Sequence, residues 1–498
     1  MKEVSKTDKV LKYAGWAMCA VQAVISVVFM MFLSKMNVMN GKLMALAATV
    51  LVLLVAMLTV LMKWRVPGII AKVLSVLLSA AMVVGCVYLN ATYRAIDKIS
   101  GVQTKIDNIC IYVSEDDPAQ NLMDTKDYVF GILDELDREN TDKVIDSIDD
   151  EVGQKIKTTE YQDVTSLAEG LLSGETGAII LNSAYVAFIE DESFESKVRV
   201  ISYKDITTEI PSENPSVSPS EGETEDPYAQ YSDYLYGGDD VFTLYISGID
   251  TTGAPSVNRN SDVNILMTVN TSTRQILMIN TPRDFYVPLS ISNGVKDKLT
   301  HAGCYGIDVS VDTLEMLYGV NIDDYLKVNF TGFKKIIDAL GGVDVYSEYD
   351  FTAISGETFV KGYNYGLNGD KALAFARERH AFASGDRQRG KNQMAVINAV
   401  INKMASSDML LNYTGVLDAL SDSMVTSMSY DEITDLVKFQ LSDMRGWDIV
   451  SYSVDGTGDN LPCFSLKSPN YVMIPTQETV DKAKDYLKQI YAGEKISQ

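Results

Sequence analysis

Apolar residues fill the first ninety positions in three unbroken blocks. Tyr13 to Leu33 and Leu43 to Met62 hold no charged residue, and a third charge-free run, Val73 to Leu89, extends back through Ile69 and Ile70. Each is close to the roughly 20 residues that cross a bilayer as a helix, and a cleaved leader would account for one such block, not three. Beyond them the pattern shortens. Residues 109–113, 177–181 and 198–203 read as strands. Val129, Ile132, Leu133 and Leu136 recur at helical spacing and predict a helix over 128–136, and 164–172 reads the same way. Such alternation predicts a small α/β domain over 95–208. Pro211, Pro215, Pro219 and Pro227 then interrupt a Ser-rich, acidic stretch, 209–238, too poor in apolar residues to offset the entropy of ordering. From 239 to 498 strands are predicted at 241–246, 263–269 and 275–279, the last two joined as a hairpin by the polar link 270–274. Helices follow at 309–318, at 333–340 before Gly341-Gly342, and at 387–404, where Met394, Ile397, Ile401 and Met404 form one stripe. The expected fold class is α/β: three N-terminal transmembrane helices over 1–94, a small α/β accessory domain, and an α/β/α sandwich with a mixed sheet.

Flanking cations orient the apolar blocks. Lys2, Lys6, Lys9 and Lys12 precede the first, and Lys63, Arg65 and Lys72 lie between the second and third, whereas only Lys35 and Lys42 separate the first two. Cations stay on the cytoplasmic side, so a multi-pass protein of the cell membrane is expected, with everything after about Asn90 extracellular. Residues 1–94 hold ten Lys and Arg against two Asp and Glu, so the chain's net charge of −24 becomes −32 in the remainder. So acidic an outer part excludes nucleic acid as a partner held by general electrostatics.

Against that background, four of the twelve arginines fall within thirteen residues: Arg377, Arg379, Arg387 and Arg389. Guanidinium forks match phosphate oxygens. The bland reading is a run of surface ion pairs; the sharper one is a site for a small dense anion. Arg389 and Gln393 are four apart on one helical face, and a helix start at Ser384-Gly385 would add free N–H groups. Asp386 fits a base, an arginine-orienting carboxylate or a cap equally well. Asp250 and Asp262 fall at adjoining strand ends, where one or two carboxylates with phosphate oxygens suit Mg²⁺, although an Asp there is more often a turn-former. Arg283, in Thr281-Pro-Arg-Asp284, points at the same space or pairs with Asp284. His301 and His380 read as hydrogen-bonded structural residues, and Lys298 as an added cation. Of five cysteines, Cys110, Cys304 and Cys463 lie in the outer part, which leaves a Cys304–Cys463 bond open and argues against a disulfide framework.

The runs Gly248-Ile-Asp250, Ser261-Asp-Val-Asn-Ile-Leu266, Thr281-Pro-Arg-Asp284, Lys298-Leu-Thr-His-Ala-Gly303, Tyr325-Leu-Lys-Val-Asn-Phe330 and Asp338-Ala-Leu-Gly-Gly-Val343, continued by the arginine run, resemble the LytR-CpsA-Psr family from about Val241 to Met404. Three spans and an extra outer domain are similar to its capsule-linked streptococcal members of the CpsA type. The resemblance implies a catalytic domain over 239–498 that moves a glycopolymer, capsular or teichoic-acid-like, from a polyprenyl pyrophosphate carrier to peptidoglycan through a phosphodiester link. It implies Mg²⁺, with Mn²⁺ as a substitute, at Asp250 and Asp262, and pyrophosphate contacts from Arg283, Arg377, Arg379, Arg389 and Gln393. The family commonly has Arg two residues before the second Asp; Asn260 stands there, and the neighbouring Arg259 is the substitute. An apolar tunnel for the prenyl tail is also implied. Lipid pyrophosphatase action and a non-catalytic role in sensing or assembling wall polymer are the alternatives.

Overall fold

The computed structural model describes residues 6–36, 41–100, 103–191, 193–210, 240–249, 256–406 and 409–497, with a few single positions besides. It divides into two compact units. The first holds the helices Lys6–Lys35, Gly41–Leu61 and Arg65–Ile99, all three long and apolar enough to cross a membrane. It also includes the helices Met409–Ser421 and Tyr430–Asp443 from late in the chain. Inside it Ser75 Oγ donates to Gln22 Oε1 at 2.5 Å, and both residues are buried. A polar pair of this kind ties helices together where apolar surfaces alone give no preference. The Tyr93 and Tyr430 rings meet at 5.4 Å, under the Lys35 ammonium at 3.8 Å from the Tyr93 centroid.

The second unit contains both the accessory part and a larger α/β part. The accessory part is a five-stranded sheet in the order Lys157–Tyr161, Val129–Leu133, Ala178–Asn182, Gln103–Ser114, Val198–Ile210. The helix Arg138–Val152 covers one face through Val144 and Ile148, and the helix Val164–Leu172 covers the other through Leu167. The helix predicted over 128–136 is instead the inner strand Val129–Leu133 and the turn that leads to the helix Arg138–Val152. Its apolar residues are buried on both faces, as in a parallel strand, so they show no clean period of two. Spacing alone then imitates a helix. The predicted linker falls largely outside the described residues.

The larger part is built on a six-stranded mixed sheet in the order Met424–Thr426, Asp324–Asn329, Val241–Ile249, Ser261–Asn270, Gln275–Asn280, Asp448–Ser453. Alternate residues serve opposite layers. Tyr245, Leu266, Leu277 and Ile279 pack on the helices Ile307–Tyr318 and Gln477–Tyr491. Ile246, Ile265, Val269 and Met278 pack on Met394 of the helix Asp386–Met404, beside half-buried Ile397, Ile401 and Trp447. This is the expected α/β/α sandwich. Glu315 Oε1 accepts from Ile322 N–H at 2.7 Å, and burial pushes its carboxyl up to about 7 from 4.5. Its folded form therefore holds its proton longer than the unfolded chain does. The resulting stability is full below the unfolded value and is lost as pH rises toward 7. Glu315→Gln is expected to flatten the dependence of the melting temperature on pH across that window.

The two layers share an interface. Ile106 N–H donates to the Ser256 carbonyl at 3.4 Å. Buried Asp107 accepts from Asn258 Nδ2 at 3.0 Å, and Arg259 donates to the Ser183 carbonyl at 2.7 Å. The Phe188 ring stands edge-on to His301 at 5.2 Å and stacks on Tyr305 at 5.5 Å. Cys304 is buried among the accessory apolar residues, and Cys304 and Cys463 are both free thiols, so the bond left open by the sequence is not formed.

Candidate functional site

The hairpin delivers the first cluster. Asp262 is the second residue of Ser261–Asn270, and Gln275–Asn280 runs antiparallel with Asn280 opposite Ile265. The chain leaving Asn280 therefore emerges beside Asp262. Thr281 N–H donates to the Asn264 carbonyl at 2.9 Å, and its hydroxyl meets the Tyr318 hydroxyl at 2.8 Å. Pro282 cannot continue the ladder, and Arg283 turns back. Its NH1 donates to Asp262 Oδ1 at 3.0 Å, and its Nε lies 3.6 Å from Asp284 Oδ2. That Nε is buried with no hydrogen-bond partner. Lys298 Nζ stands 3.9 Å from Asp284 Oδ1.

The second cluster is the first turn of Asp386–Met404. Gly385 caps it at φ 52°, ψ −118°, a conformation hostile to any Cβ. Arg389 is buried, with NH2 2.8 Å from Asp386 Oδ1. The two clusters act on one another. Burial pulls Arg283 down, but Asp262, Asp284 and Asp386 together hold it above its ordinary value. Arg389 is pulled below its ordinary value by burial, which Arg283 and Arg379 reinforce and Asp386 and Asp262 oppose. Burial raises Asp284, Asp386 adds to the rise, and Arg283, Lys298 and Arg389 counter it. Asp262, Arg283, Asp386 and Arg389 therefore converge, with Arg379 in electrostatic range.

Other predicted residues are placed differently. The exposed Arg377 ends the helix Gly369–Arg377 with its guanidinium 4.3 Å from the Phe330 ring centroid. Arg379 Nε contacts His380 Nε2 at 3.3 Å, and Gln393 is half-buried one turn beyond Arg389. Arg387 is turned away, 2.5 Å from both Asp455 Oδ1 and the Gly456 carbonyl. Arg259 serves the accessory interface. Asp250 lies outside the described residues. His301 Nδ1 contacts Asp297 Oδ1 at 2.8 Å in a buried, structural pair.

Two residues were not legible as site residues. Asp284 reads in the sequence only as a partner for Arg283; its burial between Arg283 and Lys298 is a tertiary fact. Glu378 sits between two arginines, where an ion pair is the natural expectation. Instead its buried carboxylate accepts Ala381 N–H at 2.8 Å and Ile354 N–H at 2.7 Å. Burial would raise it, yet backbone N–H groups, those of His380 and Arg379 included, hold it below the usual carboxylate range. Glu378 is a positioning residue beneath the arginine turn. Glu378→Gln puts an NH₂ against one of those donors, at about 1–3 kcal/mol. Faster amide exchange over 379–381 is expected.

Among the described residues no group of three or more His, Cys, Asp and Glu forms a metal cage. The donors present do suit a hard cation held partly by substrate oxygens. Asp262 gives only Oδ1 to Arg283, which leaves its second carboxylate oxygen for a cation, whereas Asp386 Oδ1 already faces the Arg389 guanidinium at 2.8 Å.

Sequence comparison covers the same ground. TagU of Bacillus mycoides strain KBAB4, a polyisoprenyl-teichoic acid–peptidoglycan teichoic acid transferase, is 38% identical over 215 residues, 43% of this chain and 69% of its own. The protein of the same name from Halalkalibacterium halodurans is 31% identical over 252 residues, 50% of this chain and 79% of its own. The crystal structure of B. subtilis TagV aligns at 27% identity with a TM-score of 0.43, covering 52% of this chain and all of that one. The profile of the LytR_cpsA_psr family matches residues 201–489, a stretch that holds the hairpin, the arginine turn and both clusters, and this chain belongs to that family.

Proposed function

We propose that the protein transfers a glycopolymer from a polyprenyl pyrophosphate carrier to peptidoglycan, outside a membrane that its three apolar helices span. The carrying observation is the convergence of Arg283 and Arg389, each beside a carboxylate, at one end of the sheet. The relatives named for teichoic acid transfer support this reaction class. Capsular polysaccharide and teichoic-acid-like polymers are both donors of the required chemistry.

The acceptor hydroxyl oxygen bonds to the phosphorus next to the sugar. The bond from that phosphorus to the bridging oxygen breaks, and polyprenyl phosphate leaves with the electron pair. Arg283 and Arg389 hold the phosphoryl oxygens as charge moves onto the leaving group, with Arg377, Arg379 and Gln393 as further contacts. Fixed donors of this kind lower the barrier because they need no rearrangement. Of the carboxylates, Asp284 suits the hydroxyl proton: its raised pKa makes it the better base, whereas Asp386 is tied to Arg389. Mg²⁺, or Mn²⁺ in its place, would be held by Asp262 together with Asp250 and would neutralise the diphosphate.

The test uses the full chain in detergent with Mg²⁺, a lipid-pyrophosphate-linked oligosaccharide and a peptidoglycan glycan. A phosphodiester conjugate and polyprenyl monophosphate are expected in equal amounts. Phosphate release with no conjugate would assign a lipid pyrophosphatase instead, and no turnover at all would leave an assembly or sensing role.

A further inference from the structure

The segment between the two arginine-bearing helices and the sheet carries a feature the reaction chemistry does not use. Val343–Ser347 and Gly362–Leu367 form a two-stranded ribbon. Its inner residues Val343, Val345 and Leu367 are buried, and its outer face presents three tyrosines. Tyr346 is 50% exposed, Tyr363 58% and Tyr365 75%. Tyr346 and Tyr363 are directly paired across the strands, with ring centroids 5.5 Å apart; Tyr363 and Tyr365 stack at 5.9 Å. Packing does not account for so much aromatic surface in water. None of the three hydroxyls bonds to a described residue.

We propose that this tyrosine row is a platform for the acceptor, an N-acetylated glycan strand, an inference that rests on the transfer reaction proposed above. Three observations choose this occupant. First, phenol faces carry negative quadrupole charge and attract the C–H edges of pyranose rings, while free hydroxyls on the rims offer hydrogen bonds. Tyr346 and Tyr363 meet edge to face, so the row offers ring faces and hydroxyl-bearing rims in turn. Second, the surrounding charge is acidic: Asp344, Glu348, Asp350 and Glu357 stand against Lys361 and Lys391. That balance repels a phosphate-rich polymer and tolerates an uncharged sugar backbone. Third, the platform is continuous with the site. Gln388 Nε2, next to Arg389, donates to Glu348 Oε2 at 3.1 Å. Tyr349, half-exposed at the end of the row, contacts Phe382 of the arginine turn at 6.0 Å between centroids. A strand laid along the tyrosines therefore leads toward the guanidiniums.

The test measures binding of the full-length chain in detergent to N-acetylglucosamine oligosaccharides, an N-acetylated glycan with no charge of its own. The Tyr363→Ala/Tyr365→Ala double variant is expected to bind about tenfold or more weakly and to show a raised acceptor KM. Tyr363→Phe/Tyr365→Phe keeps the rings and is expected to recover most of the affinity. Absence of glycan binding by the parent overturns the proposal, as does equal binding by parent and alanine variant. Glycan binding is read without donor, so it holds or fails independently of the transfer reaction.

Discussion

Arg283→Ala is expected to lower kcat for transfer by about 10³-fold, in line with the worth of an arginine aimed at a transferring phosphoryl group. The side chain acts twice. It presents its fork to the phosphoryl oxygens, and it separates Asp262 from Asp284 by pairing with both, at 3.0 and 3.6 Å. Without it Asp284 loses the largest of the charges that counter its burial. Its pKa rises further, so the acidic limb of the rate profile should move to higher pH. Arg283→Lys keeps the charge but not the planar fork and should recover little. The comparison is steady-state conjugate formation by the full chain across pH. A variant within about threefold of the parent would remove Arg283 from the mechanism.

Gly303→Ala is expected to cost about 1–3 kcal/mol or more and to depress activity well beyond that loss. A Cβ at Gly303 would stand 2.6 Å from the Arg259 carbonyl oxygen and 3.0 Å from the Ser261 backbone N. Both are main-chain atoms and cannot rotate aside. The helix Leu299–Tyr305 or the start of Ser261–Asn270 must shift, and Asp262 moves with the strand. Thermal unfolding followed with the transfer assay checks both effects. A parent-like melting temperature together with parent-like turnover would show that this close approach is dispensable.

The legible parts of this chain are those set by local pattern. Charge-free blocks of about twenty residues have one reading in lipid. The hairpin 263–279 carries its own turn. The arginine turn is visible because four cations stand out against an acidic chain. Relations across distance were hidden. Asp448–Ser453 completes the sheet by pairing with Gln275–Asn280, far back in the sequence, and nothing local marks it. Val129–Leu133 imitated a helix because both its faces are buried. Glu378 carried no signal, because sequence shows neighbours, not the backbone N–H groups that a turn gathers around a carboxylate. Arg259 looked like a phosphate ligand for a similar reason, being three residues from Asp262, yet its guanidinium is engaged by the Ser183 carbonyl.

The proline-rich stretch marks a seam in the covalent chain, but the folding seam does not follow it. Tyr305 completes the ring stack begun by Phe188, and Asp107 sits buried against an amide from beyond the seam. A fragment cut at that stretch would carry half of an unfinished core, greasy on one side and short of partners for Asn258. Moving the accessory part alone would thus break a matched pair of surfaces.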